Sequence, residues 1–406
     1  MMWQREFGSH QMKSFDYIIV AIFVFFCIGI LSQNAIAFIA VGVFIVFAVI
    51  YRIYDKEIVK KLHLKNPKKT IKLFPGDEAK MTLELENRSI FPLINGEMNL
   101  QTGSAVKAYA HVKDEESYWK TIYLLLSILR RKKTIIELPV RAEHRGVAKI
   151  NNITLSFPHL FNYDQATLKF TQFYYTEYVV LPELLPVQGA EAVFHMMPGS
   201  GYATFSPFED IQSPRGTRDY SFSDPFHRIN WNASVKTQQL QTNVYEKMVD
   251  RSFVFIVNVG QDNHLNMAVF NRNLEKLLSR AAYLCHYATE KDVPYEIFLN
   301  TRKPGKVPYI HLPEGEGQLH YGHALEMLAR VHKQSMIVPF NQMLHRLGKH
   351  FYKPKTVVVI GEVPSGAAEI IDTWKQARHS VYHISDADEE AIVRPLTRGG
   401  GMSDAK

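Results

Sequence analysis

The stretch FDYIIVAIFVFFCIGILSQNAIAFIAVGVFIVFAVIY, residues 15–51, decides how the chain is organised. Phe15–Leu31 is almost wholly apolar, Ser32-Gln33-Asn34 interrupts it, and Ala35–Tyr51 is apolar again. Each run is roughly 17 residues long, close to the shortest helix that crosses a bilayer. The polar break has room only for a tight turn, so two such helices run antiparallel and return the chain to the side it left. The reading is a two-helix transmembrane hairpin. Ala35-Ile36-Ala37 has the small-x-small pattern of a signal cleavage site. A second apolar run follows at once, so cleavage there would still leave an anchor.

Charge orients the hairpin. Arg5 and Lys13 precede the first run, and Arg52, Lys56, Lys60, Lys61, Lys65, Lys68 and Lys69 follow the second. The turn carries no Lys or Arg. By the positive-inside rule, residues 1–14 are a cytoplasmic N-terminus and everything after Tyr51 is cytoplasmic. Residues 52–69 read as a basic juxtamembrane linker, with Lys60, Lys61 and Lys65 placed to meet anionic headgroups. Much of the net charge of +7 then belongs to a membrane surface, and no nucleic-acid partner is expected.

The chain has 406 residues, of which 46% are hydrophobic, enough for an anchor and two ordinary domains. Its two cysteines, Cys27 and Cys285, support neither a disulfide framework nor a thiolate zinc site. Over residues 70–187, short runs such as Ile71–Phe74, Met81–Leu85, Ile135–Val140 and Tyr174–Leu181 predict strands. Pro75-Gly76-Asp77, Asn87-Arg88-Ser89 and Asn95-Gly96 punctuate them as turns. The expectation is a β-sandwich-like domain. Tyr118–Leu129 is strongly apolar and leads into Arg130-Arg131-Lys132-Lys133. It reads either as an amphipathic helix at the membrane interface or as a helical or strand insert packed on the sandwich.

Over residues 252–395, strands and helices alternate. Phe253–Val257, Pro294–Leu299, Thr356–Ile360 and Ser380–Ile384 read as strands; Asn273–Thr289, Tyr321–Val331, Phe340–Leu347 and Ala367–Ala377 read as helices. This is the pattern of a doubly wound α/β domain. Ligands of such sheets gather beyond the carboxyl ends of the strands, here Asn258–His264 and Gly361–Ser365. Oxygen ligands there suit Mg²⁺. The set is thin, with Asp262 and Glu362 its only carboxylates, and no cofactor is expected. No phosphate loop, H-E-x-x-H or G-x-S-x-G occurs. The histidines His311, His320, His323, His332, His345 and His350 are scattered and read as solvent or core residues. Residues 396–406, with Gly399-Gly400-Gly401, read as a flexible tail.

The most distinctive segment is RGTRDYSFSDPFHRINWNASVKTQQLQTNVYE, residues 215–246, inside a polar region spanning 188–251. Arg218, Arg228 and Lys236 interleave with Tyr220, Phe222, Phe226 and Trp231. Two readings remain: a surface for a partner, or a domain junction locked by Arg–carboxylate pairs with Asp219, Asp224 and Glu246.

Arg218-Asp219-Tyr220, Ser223-Asp224, Arg228-Ile229-Asn230-Trp231-Asn232-Ala233-Ser234-Val235-Lys236 and Glu246 resemble the signature of DUF58, a bacterial family of unknown function. Glu143-His144-Arg145-Gly146-Val147 and Phe157-Pro158-His159-Leu160-Phe161 resemble its upstream segments. The resemblance implies a membrane hairpin, a β-sandwich-like region and a C-terminal von Willebrand factor A-like α/β domain in a bacterial cell membrane. It also implies work beside a MoxR-type AAA+ ATPase and a transglutaminase-like membrane protein. Arg218, Tyr220, Asp224, Arg228, Trp231, Ser234, Lys236 and Glu246 would build the junction or partner surface. The family's metal motif corresponds here to Asn258, Gly260, Asp262 and Glu362, which looks eroded. The leading expectation is therefore a non-enzymatic membrane-tethered adaptor. The alternative is a membrane-surface hydrolase or transferase drawing on Asp224, His227 and Asp262.

Overall fold

The computed structural model describes residues 2–6, 11–33, 35–109, 111–113, 119–160, 165–195, 209–247, 252–262, 268–305, 307–385 and 390–396. Tyr118, Phe161, His264, residues 248–251 and the tail from 397 lie outside the described residues. The chain divides into two compact units, Met1–Glu183 and Leu184–Lys406. Together they make a mixed α/β protein with several sheets and an apolar N-terminal helical region.

The first unit begins with strand β1 (Trp3–Glu6) and helices α1 (Gln11–Ser32) and α2 (Ala35–Lys61). Phe25 stacks on Phe44 at 5.5 Å and Phe26 meets Phe38 edge-on at 6.2 Å, so the two helices are in contact. Gly29 admits the Phe38 ring, whose tip would lie 3.1 Å from a Cβ there. Ile36, Ile39, Val43, Val46 and Val49 remain exposed on α2. Among the described residues, Ala35–Lys61 is the one helix long and apolar enough to cross a membrane, and Asp16–Leu31 is a shorter apolar helix.

The linker expected over 52–69 is largely regular structure. Helix α2 continues to Lys61 and passes directly into β2 (Leu62–Leu64). Tyr51, Tyr54 and Ile58 are buried at helical spacing, and Leu62 and Leu64 at strand spacing. The apolar period thus runs straight through the basic residues. Lys61 pairs with Glu57 at 2.6 Å and Lys65 with Glu84 at 2.9 Å, whereas Lys60 is exposed. The N-terminus is also built in. Trp3 is fully buried, with its ring 5.4 Å from Phe170. Arg5 forms an ion pair with Asp55 of α2, whose second oxygen lies 3.1 Å from His159 Nε2.

The remaining strands are β3 (Thr70–Leu73), β4 (Glu78–Asn87), β5 (Leu93–Gly103), β6 (Val106–Ala108), β7 (His111–Lys113), β8 (Trp119–Ile128), β9 (Lys133–Ala142), β10 (Gly146–Pro158), β11 (Gln165–Phe170) and β12 (Glu177–Val180). One sheet runs β1-β11-β10-β5-β8-β7, with β12 joined to β10 and β3; the other runs β2-β4-β9-β6. Met81, Leu83 and Leu85 of one sheet and Met98, Leu100, Ile150 and Leu155 of the other share a single core. The expected alternation therefore appears as two sheets packed face to face. The apolar run 119–128 is strand β8, not an interfacial helix. Its backbone pairs with β5 on one side and β7 on the other. Ile122 and Ile128 are buried while Leu125 is 87% exposed. A run of leucines hides the two-residue period, so only the ladder partners reveal it.

The second unit contains α3 (Ala190–His195), β13 (Glu209–Asp219), α4 (Trp231–Thr237) and β14 (Gln241–Lys247). Its main sheet is formed by β15 (Phe253–Val257), β18 (Tyr295–Arg302), β19 (Tyr309–Gly315), β20 (Thr356–Ile360), β21 (Ser380–Ile384) and β22 (Val393–Pro395). A small ribbon, β16 (Gly260–Asp262) and β17 (Ala268–Phe270), follows β15. The order is β19-β18-β15-β20-β21-β22, with the four central strands parallel and both edges antiparallel. Helices α5 (Leu274–Glu290) and α6 (Gly317–Ala329) accompany one face, where Tyr295 carries the His320 ring of α6. Helices α7 (Phe340–Leu347) and α8 (Ala368–Gln376) cover the other, where Met343, Leu347 and Trp374 pack on Val254, Ile256 and Val359.

The Arg5–Asp55–His159 cluster generates a stability prediction. Asp55→Ala takes the carboxylate away from a buried guanidinium and a buried imidazole, costing about 3 kcal/mol. The unfolding midpoint of the detergent-solubilised chain falls by several degrees, and Asp55→Asn, which keeps hydrogen bonding, falls less. Thermal melts of the three proteins check the order.

Candidate functional site

Strands β13 and β14 form an antiparallel pair, and the distinctive segment 215–246 supplies the end of β13, the loop between the strands and most of β14. Arg218, the last but one residue of β13, reaches forward so that its Nη2 lies 2.5 Å from Asp224 Oδ1. The other Asp224 oxygen accepts the Ser221 N–H at 2.9 Å, and Tyr220 Oη donates to the Asp224 carbonyl at 3.2 Å. A tight turn is thereby closed by one carboxylate. The hydrogen bond from Arg218, and then that from the Ser221 N–H, hold the Asp224 carboxyl below its ordinary range. A carboxylate stabilised in its charged form is a poor proton carrier at neutral pH.

After a single 3-10 turn, Phe226–Arg228, Asn230 caps α4 by accepting the Ala233 N–H at 3.0 Å. Ser234 is the hinge pin. Its hydroxyl donates to the Asn230 carbonyl at 2.7 Å and accepts the Gln241 N–H at 2.8 Å. Gln241 Nε2 in turn donates to Asp219 at 2.6 Å, closing the loop on β13. The Arg228 guanidinium sits 5.8 Å from the centre of the Tyr245 ring. Glu246 lies in β14 opposite Asp210, and Lys236 is exposed in the last turn of α4.

This frame displays apolar groups outward. Phe226 is 69% exposed, Trp231 59% and Val235 79%, and Phe222 stands clear of the protein. Phe226 is in ring contact with both Tyr220 and Trp231, at 6.4 and 6.3 Å. The expected residues thus divide by role. Arg218, Tyr220, Asp224 and Ser234 hold the loop together, while Trp231 belongs to the exposed set. Phe222 and Phe226 join Trp231 there; their place in the interleaved aromatics hinted at this, but not which way they face.

Of the four residues expected to mark a degenerate metal site, three meet beyond the carboxyl ends of β15 and β20. Asn258, Gly260 and Glu362 come together there, while the Asp262 backbone leads away into the β16–β17 ribbon. The site is closed by amides. Asn258 donates to the Glu362 carbonyl at 2.6 Å, and its own oxygen accepts both the Gly260 N–H at 3.1 Å and the Asn300 Nδ2 at 2.8 Å. Both lone pairs of that oxygen are engaged, leaving none for a cation. Asn300 also accepts the Val259 N–H at 2.8 Å. Gly361, at φ +103°, allows the two loops to meet, since a Cβ there would lie 2.6 Å from the Asn258 carbonyl oxygen. The remaining space is about 10 Å³, about one water. Asn300 was not legible as a partner because it lies inside a strand, far from Asn258 in the chain.

No family model and no curated protein matches the chain. Solved structures align with about a third of it. A Salmonella alpha-2-macroglobulin mutant is 18% identical over 31% of this chain and 7% of that one, with TM-score 0.21. A trypsin-activated Escherichia coli alpha-2-macroglobulin is 15% identical over 42% and 9%, with TM-score 0.21. A cohesin from Acetivibrio cellulolyticus is 9% identical over 30% and 97%, with TM-score 0.21. The chain therefore spans under a tenth of the macroglobulins it aligns with, and likenesses this low assign nothing to it.

The role of Ser234 can be checked directly. Ser234→Ala leaves the buried Gln241 N–H without its acceptor, a loss of about 1–3 kcal/mol. Hydrogen exchange read by mass spectrometry will show faster exchange in a peptide covering 238–247, with peptides from β15 unchanged.

Proposed function

We propose that this chain is a membrane-anchored interaction protein of the DUF58 type that presents the β13–α4–β14 loop to a cytoplasmic partner. The observation that carries the reading is the set of exposed rings, Phe222, Phe226 and Trp231, held on a loop whose polar groups are internally satisfied. Exposed aromatics on a rigid frame bind with little ordering cost, and aromatic side chains are enriched where binding energy concentrates. The depressed Asp224 and the amide-filled switch point offer no support to the hydrolase or transferase alternative.

The anchor is a two-helix hairpin in this proposal, with both soluble units cytoplasmic in a bacterial cell membrane. Its support is that the segment before α1 and the end of α2 both belong to the same sandwich, through β1 and β2. Arg52, Lys56 and Lys60 recur every four residues and make the lipid-facing stripe. Lys61 and Lys65, with carboxylate partners, contribute less than the sequence suggests. The second unit is a von Willebrand factor A-like domain in which amide hydrogen bonds stand in for the metal. Its support is the parallel core order, with the first strand beside the third. A MoxR-type AAA+ ATPase is the partner, with a transglutaminase-like membrane protein in the same assembly.

Mild crosslinking of the tagged full-length protein in its native membrane tests the reading. Wild type recovers an AAA+ ATPase, and Phe226→Ala with Trp231→Ala lowers recovery at least about tenfold while melting like wild type. Equal recovery by the double variant would remove the proposed surface.

A further inference from the structure

A second cluster lies at the opposite end of the α/β sheet from Asn258. Glu296 is the second residue of β18 and is 2% exposed. His311 of β19 places Nε2 3.3 Å from Glu296 Oε2. His350, from the segment between α7 and β20, places its Nε2 3.7 Å from the same oxygen. All three ligand atoms lie within 4.8 Å of one another. Lys355 holds the other oxygen, Oε1, at 3.0 Å and reaches Glu314 at 2.5 Å.

From these residues we infer a binding site for a divalent transition-metal ion of the zinc class, formed by Glu296 Oε2, His311 Nε2 and His350 Nε2. Spacing is the first argument. Donors about 2.0–2.1 Å from one zinc stand about 3.3 Å apart at tetrahedral angles. The two imidazole–carboxylate distances of 3.3 and 3.7 Å are close to that edge. Preorganisation is the second. The His311 ring lies flat on Phe298, with centroids 4.2 Å apart and planes 7° apart, and His350 meets Phe298 edge-on at 5.9 Å. The His311 ring is thus held by stacking, and His350 has an aromatic neighbour on the same ring.

Charge and access complete the case. A carboxylate this deeply buried requires positive charge beside it. Lys355 supplies that at Oε1, and Glu314 gives its ammonium a second anchor when a cation arrives at Oε2. The His350 side chain is 51% exposed, which opens a path for the ion and leaves a fourth position for water. Two imidazoles and one carboxylate favour zinc over magnesium or calcium, which prefer all-oxygen sites. Loading would tie the segment carrying His350 to the β18–β19 edge.

The test uses tag-free, chelator-treated full-length protein in detergent, titrated with Co²⁺ and then Zn²⁺ alone. One Co²⁺ per chain is expected, with the visible absorption of a low-coordinate site that Zn²⁺ abolishes. His311→Gln and His350→Ala each weaken binding at least about tenfold, the scale on which even an outer-shell partner acts. His286→Ala, at a half-buried histidine on α5 outside the cluster, leaves binding unchanged. Glu296 also holds Lys355, so its replacement risks the fold; His350 is on the surface and its variant keeps the test decisive. Absence of stoichiometric Co²⁺ binding, or binding that survives both histidine variants, would overturn the site.

Discussion

The continuity of α2 is the constraint on which the first unit depends. One helix carries exposed apolar side chains over its first turns and then inserts Tyr51, Tyr54 and Ile58 into the sandwich core before becoming strand β2. At 1.5 Å per residue it is about 40 Å long, so the sandwich is held at a set distance and rotation from the apolar segment. The Arg5–Asp55–His159 cluster sits where helix meets sandwich and ties in the chain before α1 as well. A sandwich mounted this way does not swing on a tether.

In the second unit the two ends of the parallel sheet have diverged chemically. At the carboxyl end, Asn258 and Asn300 satisfy each other and the neighbouring backbone, so polarity there serves to join loops. At the amino end, Glu296 gathers Lys355, His311 and His350 around a buried charge. Burial works to raise the Glu296 pKa, but hydrogen bonds from His311 and Lys355 outweigh it and the carboxyl titrates below its ordinary range. Its ionised form is the one the fold selects, and the stability this brings is present at neutral pH and lost as acid protonates the carboxylate. The β13–α4–β14 loop follows a third plan, in which polar residues satisfy one another so that rings can face outward.

Local pattern was enough for much of the architecture. The strands Phe253–Val257, Thr356–Ile360 and Ser380–Ile384 and the helix Phe340–Leu347 coincide with the observed elements, because continuous β-branched runs and a clean helical period leave little choice. The apolar helix of residues 35–61 was legible for the same reason, though its passage beyond Tyr51 was hidden by the basic residues around the buried ones. The antiparallel edges Tyr309–Gly315 and Val393–Pro395 were missed: edge strands pack on fewer neighbours and carry a weaker pattern.

The locally patterned elements were legible in the sequence, since helical and strand periods are set by neighbouring residues. Which side chains share a site followed from distant segments folding onto one another. Residues 119–128 became a strand through two ladder partners, and Asn300 met Asn258 across 42 positions. Glu296 from β18, His311 from β19, and His350 with Lys355 from the segment before β20 converge from three separate parts of the chain. Histidines that look scattered along a chain become a cluster only when strands pair and a loop returns, because side-chain chemistry acts over a few ångströms while the chain separates these residues by tens of positions.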